Sequence, residues 1–461
     1  MATMMSFQSP PDVRTVTNDW GSTDEVTLYL DRCQVDTPDA VVADVWRQVL
    51  DRRNKIGKVV DFGAGDGRFA EGGGYSTYTG YEVDGNRVVA RNLPANATIV
   101  HKCAFSDLIQ DADLCVGNPP YVRNQDLPQG WRQRAAKIIQ DRTGVRLSGL
   151  GNAWQYFFLL ALASTHKTGL VALVIPYEWV SRPSAAAIRA YIREQGWRVS
   201  VYRLLDDTFP RVLTTSAITV VDKNFSDGVW KFYQQSSAES FDQLTSVTAT
   251  SCALLPYQRS RLLKAPHAKR GLSPGTQRIL TLTEPERARL GLQIGKDVVP
   301  CVTTLRHLPA GMENLNKTTF RKYYVHAGKK CWLLNTSTSP SKRLSAYLDS
   351  IPAQDRATST CKFRDVWWKF TMPQSPALLV ATGFVTASTK AIVNSIGTHA
   401  VGGVCGVYAV PKSRCALLAK ELRTYRIADE IVPHSNGLRK LEINQLNTLL
   451  CRLYSNVRKG G

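Results

Sequence analysis

The chain contains no apolar run approaching the roughly 18–20 residues that cross a bilayer, and Met1 to Pro11 lack a basic-then-apolar export signal. A membrane or secreted protein is therefore not expected, and a cytoplasmic one is. Its ten cysteines stand singly, with no CxxC pair and no Cys/His cluster, which argues against both a zinc site and a disulfide framework. Free thiols in a reducing compartment are the simplest reading. Internal repeats and long low-complexity tracts are also missing. Acidic residues are scarce in one half only. Residues 1–250 hold 26 Lys+Arg and 27 Asp+Glu, whereas residues 251–461 hold 32 and 11. The whole net charge of +20 thus lies in the C-terminal part. Charge segregated in this way suits a polyanion, most simply nucleic acid, gripped through phosphates with counterion release.

What is present fits a globular protein of two domains: 461 residues, 43% apolar and 21% charged. The first half alternates apolar runs with amphipathic stretches, the pattern of βαβ units on a parallel sheet. A helix is expected from Thr37-Pro38 through Leu50. Strands are expected at 59–62, 77–81, 98–102, 113–116, 170–175, 200–204 and 217–221, with helices at 154–164 and 188–194. From Lys223 to Gln243 the chain turns polar, and the junction is placed there, giving domains 1–232 and 233–461. Beyond it the periodicity weakens. Short β-like runs are expected at 322–325, 377–382 and 404–410, and helices near 417–425 and 443–454.

Two motifs carry chemistry. Asp61-Phe62-Gly63-Ala64-Gly65-Asp66-Gly67 follows an apolar run, where glycines let the backbone approach a ligand. The spacing is not GxGxxG, so the pyrophosphate fingerprint is absent, and Glu82 ends the next strand where a carboxylate can accept from ribose hydroxyls. About fifty residues on stands Asn118-Pro119-Pro120-Tyr121. An exocyclic amine is a poor nucleophile because its lone pair is delocalised. Hydrogen bonds from NH2 to the Asn118 side-chain oxygen and the Pro119 carbonyl draw the nitrogen towards sp3 geometry and aim the lone pair. Successive prolines fix φ, and Tyr121 offers a face to a planar ring. Together the motifs suggest methyl transfer from S-adenosyl-L-methionine to such an amine.

With these residues the chain resembles the gamma-type (TaqI-like) DNA adenine-N6 methyltransferases of restriction–modification systems. The resemblance implies an α/β, class I S-adenosylmethionine-dependent (Rossmann-like) methyltransferase domain followed by a mixed α/β target-recognition domain. It assigns cofactor contacts to Thr37, Pro38, Asp61, Gly63, Gly65 and Glu82, and catalysis to Asn118, Pro119, Pro120 and Tyr121. The resemblance also implies an acid after the third strand that meets the cofactor adenine; Asp107 is the nearest candidate, with Ala104-Phe105 as the competing occupant of that slot. Gly169–Pro176 resembles the family's central strand. Phe209-Pro210, before Thr215-Ser216-Ala217, is similar to the segment whose Phe stacks on a flipped-out base, so Tyr121 and Phe209 are the expected stacking pair.

The basic stretch Val122–Leu150 (Arg123, Arg132, Arg134, Lys137, Arg142, Arg146) is expected to close as a loop over a bound strand or to be a solvated helix and linker. Lys322-Tyr323-Tyr324 and Arg364-Asp365-Val366-Trp367-Trp368 look like aromatic anchors beside phosphate-binding charge. The implied partner is double-stranded DNA, with a cognate restriction endonuclease acting separately, no metal, and a monomeric enzyme. Few residues precede Thr37 and no Pro-Asp…Glu-x-Lys arrangement follows, so no fused nuclease is expected. The competing functions are methylation of an RNA base amine or of a protein glutamine amide, and DNA binding by a degenerate methyltransferase fold.

Overall fold

Strands whose both faces are covered must be apolar along their whole length, and the first half of the chain supplies several. In the computed structural model they assemble into one sheet. The structure describes residues 14–17, 23–26, 35–88, 91–107, 109–149, 151–209, 214–237, 240–244, 265–362, 364–431, 433–435 and 438–459. The chain divides into two compact units, Met1–Cys252 with His434–Asn436, and Ala253–Pro433 with Gly437–Gly461.

In the first unit a hairpin, β1 (Arg14–Thr17) and β2 (Thr23–Val26), precedes the sheet strands. These are β3 (Ile56–Phe62), β4 (Tyr75–Glu82), β5 (Ala97–His101), β6 (Ala112–Gly117), β7 (Thr165–Pro176), β8 (Arg198–Arg203), β9 (Ser216–Asp222), β10 (Trp230–Ser237) and β11 (Ser240–Gln243). Their order is β5-β4-β3-β6-β7-β9-β8-β10-β11. Strands β5, β4, β3, β6 and β7 run parallel, and β9 is antiparallel to both β7 and β8. The chain builds outwards from β3 through β5, then returns to place β6 on the other side of β3. The strand order therefore reverses between β3 and β6, where the crevice at the strands' C-terminal ends is the general ligand position of such sheets.

The helix Asp39–Leu50 begins at Pro38, which occupies the N-cap with φ −56°. Its Val41, Val45 and Val49 pack in one buried cluster with Leu170, Ala172 and Val174 of β7 and Ile218 and Val220 of β9. The junction expected at 232/233 falls inside β10, which pairs in parallel with β8. The polar glutamines and serines there lie in β10, most of them exposed or half-buried, with β11 paired on its outer side as the sheet's edge, and the compact unit runs on to Cys252. The stretch Val122–Leu150, expected as a closing loop or as a solvated helix and linker, holds the helix Gln129–Thr143. Trp131 anchors it edge-on to Phe105 at 5.2 Å, and Arg142 donates to the carbonyls of Ile109 and Ala163.

The second unit is built from shorter pieces. One sheet orders strands 267–269, 404–408, 378–381, 391–394 and 314–315, and another orders 281–282, 332–334, 298–302 and 399–400. Helices Lys412–Thr424 and Ile443–Lys459 bury Leu418, Leu422, Leu446 and Leu450 against Leu378, Val380 and Val407. The run expected to be β-like at 322–325 is instead a π-helical segment, Arg321–Val325, continuing the helix Lys317–Phe320. Asn316 and Thr319 close a reciprocal capping box at its start, and that overrides the β preference of the aromatic and β-branched residues. Trp367 and Trp368 pack partly buried against the unit's core, so they are structural props at least as much as anchors. Among the described residues no helix is long and apolar enough to cross a membrane.

Candidate active site

Parallel pairing of Asp61 with Val116 brings β3 and β6 to an end side by side, so the turns after Phe62 and Gly117 emerge together. They touch. Gly63 sits at φ +87°, and a Cβ built there would lie 3.0 Å from the Pro120 ring. Gly117, at φ +136°, passes so close to the Asp61 carboxylate that a Cβ would lie 2.1 Å from its Oδ1. A side chain at Gly117 would overlap the carboxylate beneath it, and one at Gly63 would be strained and would crowd the Asn118 loop.

An open cavity lies here, lined by Asp36, Thr37, Gly63, Gly65, Arg87 and Asn118 among others. Asn118 Nδ2 donates to Thr37 Oγ1 at 3.1 Å. Asn118 Oδ1 is buried and has no hydrogen-bond partner, which is a state needing explanation for an amide oxygen. The Tyr121 hydroxyl donates to the Val174 carbonyl of β7 at 2.9 Å, and burial pushes its phenol well up, so it stays protonated and the ring plane is fixed.

Asp61 and Glu82 stand behind the glycine turn rather than in the cavity lining. Asp61 accepts from the Tyr78 hydroxyl at 2.7 Å on Oδ2, while Oδ1 has no partner. Burial, aided by the nearby Glu82 and Asp66 charges, pushes its carboxyl up to about 7. Glu82 is also raised by burial, although it accepts backbone N–H bonds from Gly65, Val83 and Asp84 at 2.8–2.9 Å. Its carboxylate shapes the turn and keeps some acceptor capacity for a ligand hydroxyl.

Asp107 lies outside this group. Its side chain is 42% exposed and faces Lys102 at 3.8 Å, and with burial as the larger cause it helps raise the Tyr81 phenol. The competing Ala104 and Phe105 are buried, and Phe105 packs on Trp131 and Phe157. Phe209 is only 6% exposed and belongs to the core cluster with Leu204 and Ile218. The ring expected to face a base is therefore packed inward, where the apolar surroundings hold it; Pro210 lies outside the described residues.

Sequence reasoning passed over the cavity's charged lining. Asp84 accepts from Asn86 N at 3.0 Å and starts the short helix Gly85–Val88, which delivers Arg87 to the cavity, ion-paired with Asp36. Arg68 holds Asp66 at 2.7 Å and also donates to the Thr37 carbonyl. Burial opposes the ionisation of Asp66, but the Arg68 bonds outweigh it and lower its pKa. The Asp84-Gly85-Asn86 turn, one residue beyond Glu82, is the available signal for Arg87. Among the described residues, no group of three or more His, Cys, Asp or Glu could hold a metal.

Residues 95–206, which span β6, the Asn118 loop and β7, match the model of the Eco57I restriction-modification methylase family. The chain is similar to the Type II methyltransferase M.XamI of Xanthomonas campestris pv. amaranthicola, 27% identical over 177 residues, 35% of this chain and 33% of that one. It thus spans about a third of the length of that curated relative. Among solved structures it is similar to the Type IIL restriction-modification enzyme MmeI in complex with DNA, with a TM-score of 0.57 and 9% identity over 88% of this chain and 62% of that one. The strand order, the crevice between β3 and β6 and these likenesses agree: the first unit has the class I S-adenosylmethionine-dependent methyltransferase fold.

Proposed function

We propose that the chain transfers the methyl group of S-adenosyl-L-methionine to the N6 amine of an adenine flipped out of duplex DNA, as the modification enzyme of a restriction–modification system. The observation that carries the reading is the buried, unpartnered Asn118 Oδ1 in a cavity it shares with the glycine turn. An acceptor without a donor, beside two prolines and a ring of fixed plane, fits a planar amine that arrives with the substrate.

The residues present also fit the cofactor. Gly63 and Gly65 leave backbone exposed to the cavity, and Asp36 and Arg87 offer opposite charges to a zwitterionic amino-acid end. When bound, S-adenosylmethionine supplies an electrophilic methyl on a sulfonium. Asn118 Oδ1 and the Pro119 carbonyl then accept the amine hydrogens, and Tyr121, tethered to Val174, gives the ring a face on which to rest. The second unit, carrying the excess of 32 basic over 11 acidic residues, holds the DNA backbone.

Methyl-labelled S-adenosylmethionine offered with duplex DNA, total RNA and cell protein tests this. Label in DNA is expected. Label confined to RNA or to glutamine of a protein would overturn the DNA assignment while leaving amine methylation standing.

A further inference from the structure

We infer that Thr37 is a positioning residue for Asn118, acting through its hydroxyl on the amide that meets the substrate rather than on the cofactor. The inference rests on the proposed amine methylation and deepens it. An asparagine amide has a donor end and an acceptor end, and rotation about its last bond exchanges them. Only the oxygen can accept hydrogens from an incoming NH2. Here Nδ2 is engaged by Thr37 Oγ1 at 3.1 Å, and that bond leaves Oδ1 as the end without a partner.

Thr37 is itself well placed to hold. It is 3% exposed, it precedes the N-cap of the helix Asp39–Leu50, and its carbonyl is pinned by Arg68. The tether therefore joins the Asn118 loop to a rigid element 81 residues away in the chain. A hydroxyl can serve either end of an amide, so the bond alone does not select the oxygen. It restrains the amide, and the arriving amine rewards the one orientation that leaves Oδ1 towards it. Without the tether the side chain must be ordered again at every turnover.

Thr37→Val keeps the β-branched shape and the backbone carbonyl and removes only the hydroxyl; Thr37→Ser keeps the hydroxyl. The expected result for Thr37→Val is a roughly tenfold fall in kcat, the equivalent of about 1.4 kcal/mol, for one lost hydrogen bond. The Kd for S-adenosylmethionine, measured by calorimetry, is expected to stay within about twofold, and Thr37→Ser is expected to restore kcat. A Kd for the cofactor weakened tenfold at unchanged kcat would overturn the inference and make Thr37 a cofactor contact. An unchanged kcat and Kd in Thr37→Val would overturn it as well. If the wild-type chain methylates nothing, the fault lies with the proposed function, and the two failures are thereby distinct.

Discussion

The two units use their residues differently. In the first, β7 runs twelve residues from Thr165 to Pro176 and pairs along both edges, while charges nearly cancel and the polar groups that matter are buried and individually placed. In the second, the longest described strands have five residues, and the notable property is a surplus of positive charge. One unit offers fixed geometry and the other a field. A site that must align a donor and an acceptor needs the first, whereas a surplus of positive charge suits phosphate contacts, which position a duplex without reading its sequence.

Removing a placed group should therefore cost far more than removing one unit of field. Asn118→Ala is expected to lower the rate of methyl transfer by about 10²–10³-fold, the scale of one lost charge-stabilising contact, with DNA affinity by gel shift little changed. Equal losses of rate and DNA affinity would break the contrast.

The field should instead show itself through salt. With roughly 6–10 phosphates neutralised, DNA affinity is expected to fall by about 10³–10⁵ between 50 and 200 mM salt. Reversing the exposed Arg321 and Lys322 to Glu is expected to make the plot of log affinity against log salt shallower by about two, whereas reversing the exposed Lys167 of the first unit leaves the slope unchanged. Identical slopes for both variants would show that the charge does not act through the second unit.

A subtler difference follows from Asp61. Its carboxyl is raised from 3.8 to about 7 in the fold. Below pH 4 folded and unfolded chains both hold that proton. Between about 4 and 7 the unfolded chain releases it first, so this group's contribution to stability is lost as pH rises, on the order of 4 kcal/mol in all. Asp61→Asn keeps an acceptor for the Tyr78 hydroxyl and is expected to flatten this component. Urea midpoints of both proteins at pH 5 and pH 8 check it, and parallel changes would count against a buried neutral carboxyl. Smaller still is the effect of Gly63→Ala. At φ +87° and 3.0 Å from the Pro120 ring, an added methyl is expected to cost about 1–2 kcal/mol in thermal unfolding and to disturb the Asn118 loop.

The same contrast explains what could be read from residues alone. Strands β3, β6, β7 and β9 announce themselves because burial on both faces leaves nearly continuous apolar runs, and Asp61-x-Gly-x-Gly and Asn118–Tyr121 stand at the ends of β3 and β6. Local signals give local structure well. They do not say which way a side chain turns. Phe209 reads equally as a platform or as core, and only the packing against Leu204 and Ile218 decides. Glu82 reads as a ligand acid, yet three backbone N–H groups of its own turn and its neighbours occupy it first. Arg87 and Thr37 reach the cavity by contacts across 51 and 81 residues, which no periodicity records. In the second unit a capping box at Asn316 outweighs strand-forming residues, and in the first unit β10 and the edge strand β11 look like a linker because most of their residues stay exposed or half-buried.

The central claim is that Asn118 Oδ1 is held to accept hydrogens from an adenine amine. Digestion of methylated DNA to nucleosides, after reaction with the wild-type chain and with Asn118→Ala, tests it most directly. N6-methyladenine from the first and none from the second is the expected result; 5-methylcytosine, or an undiminished yield from the variant, would contradict it.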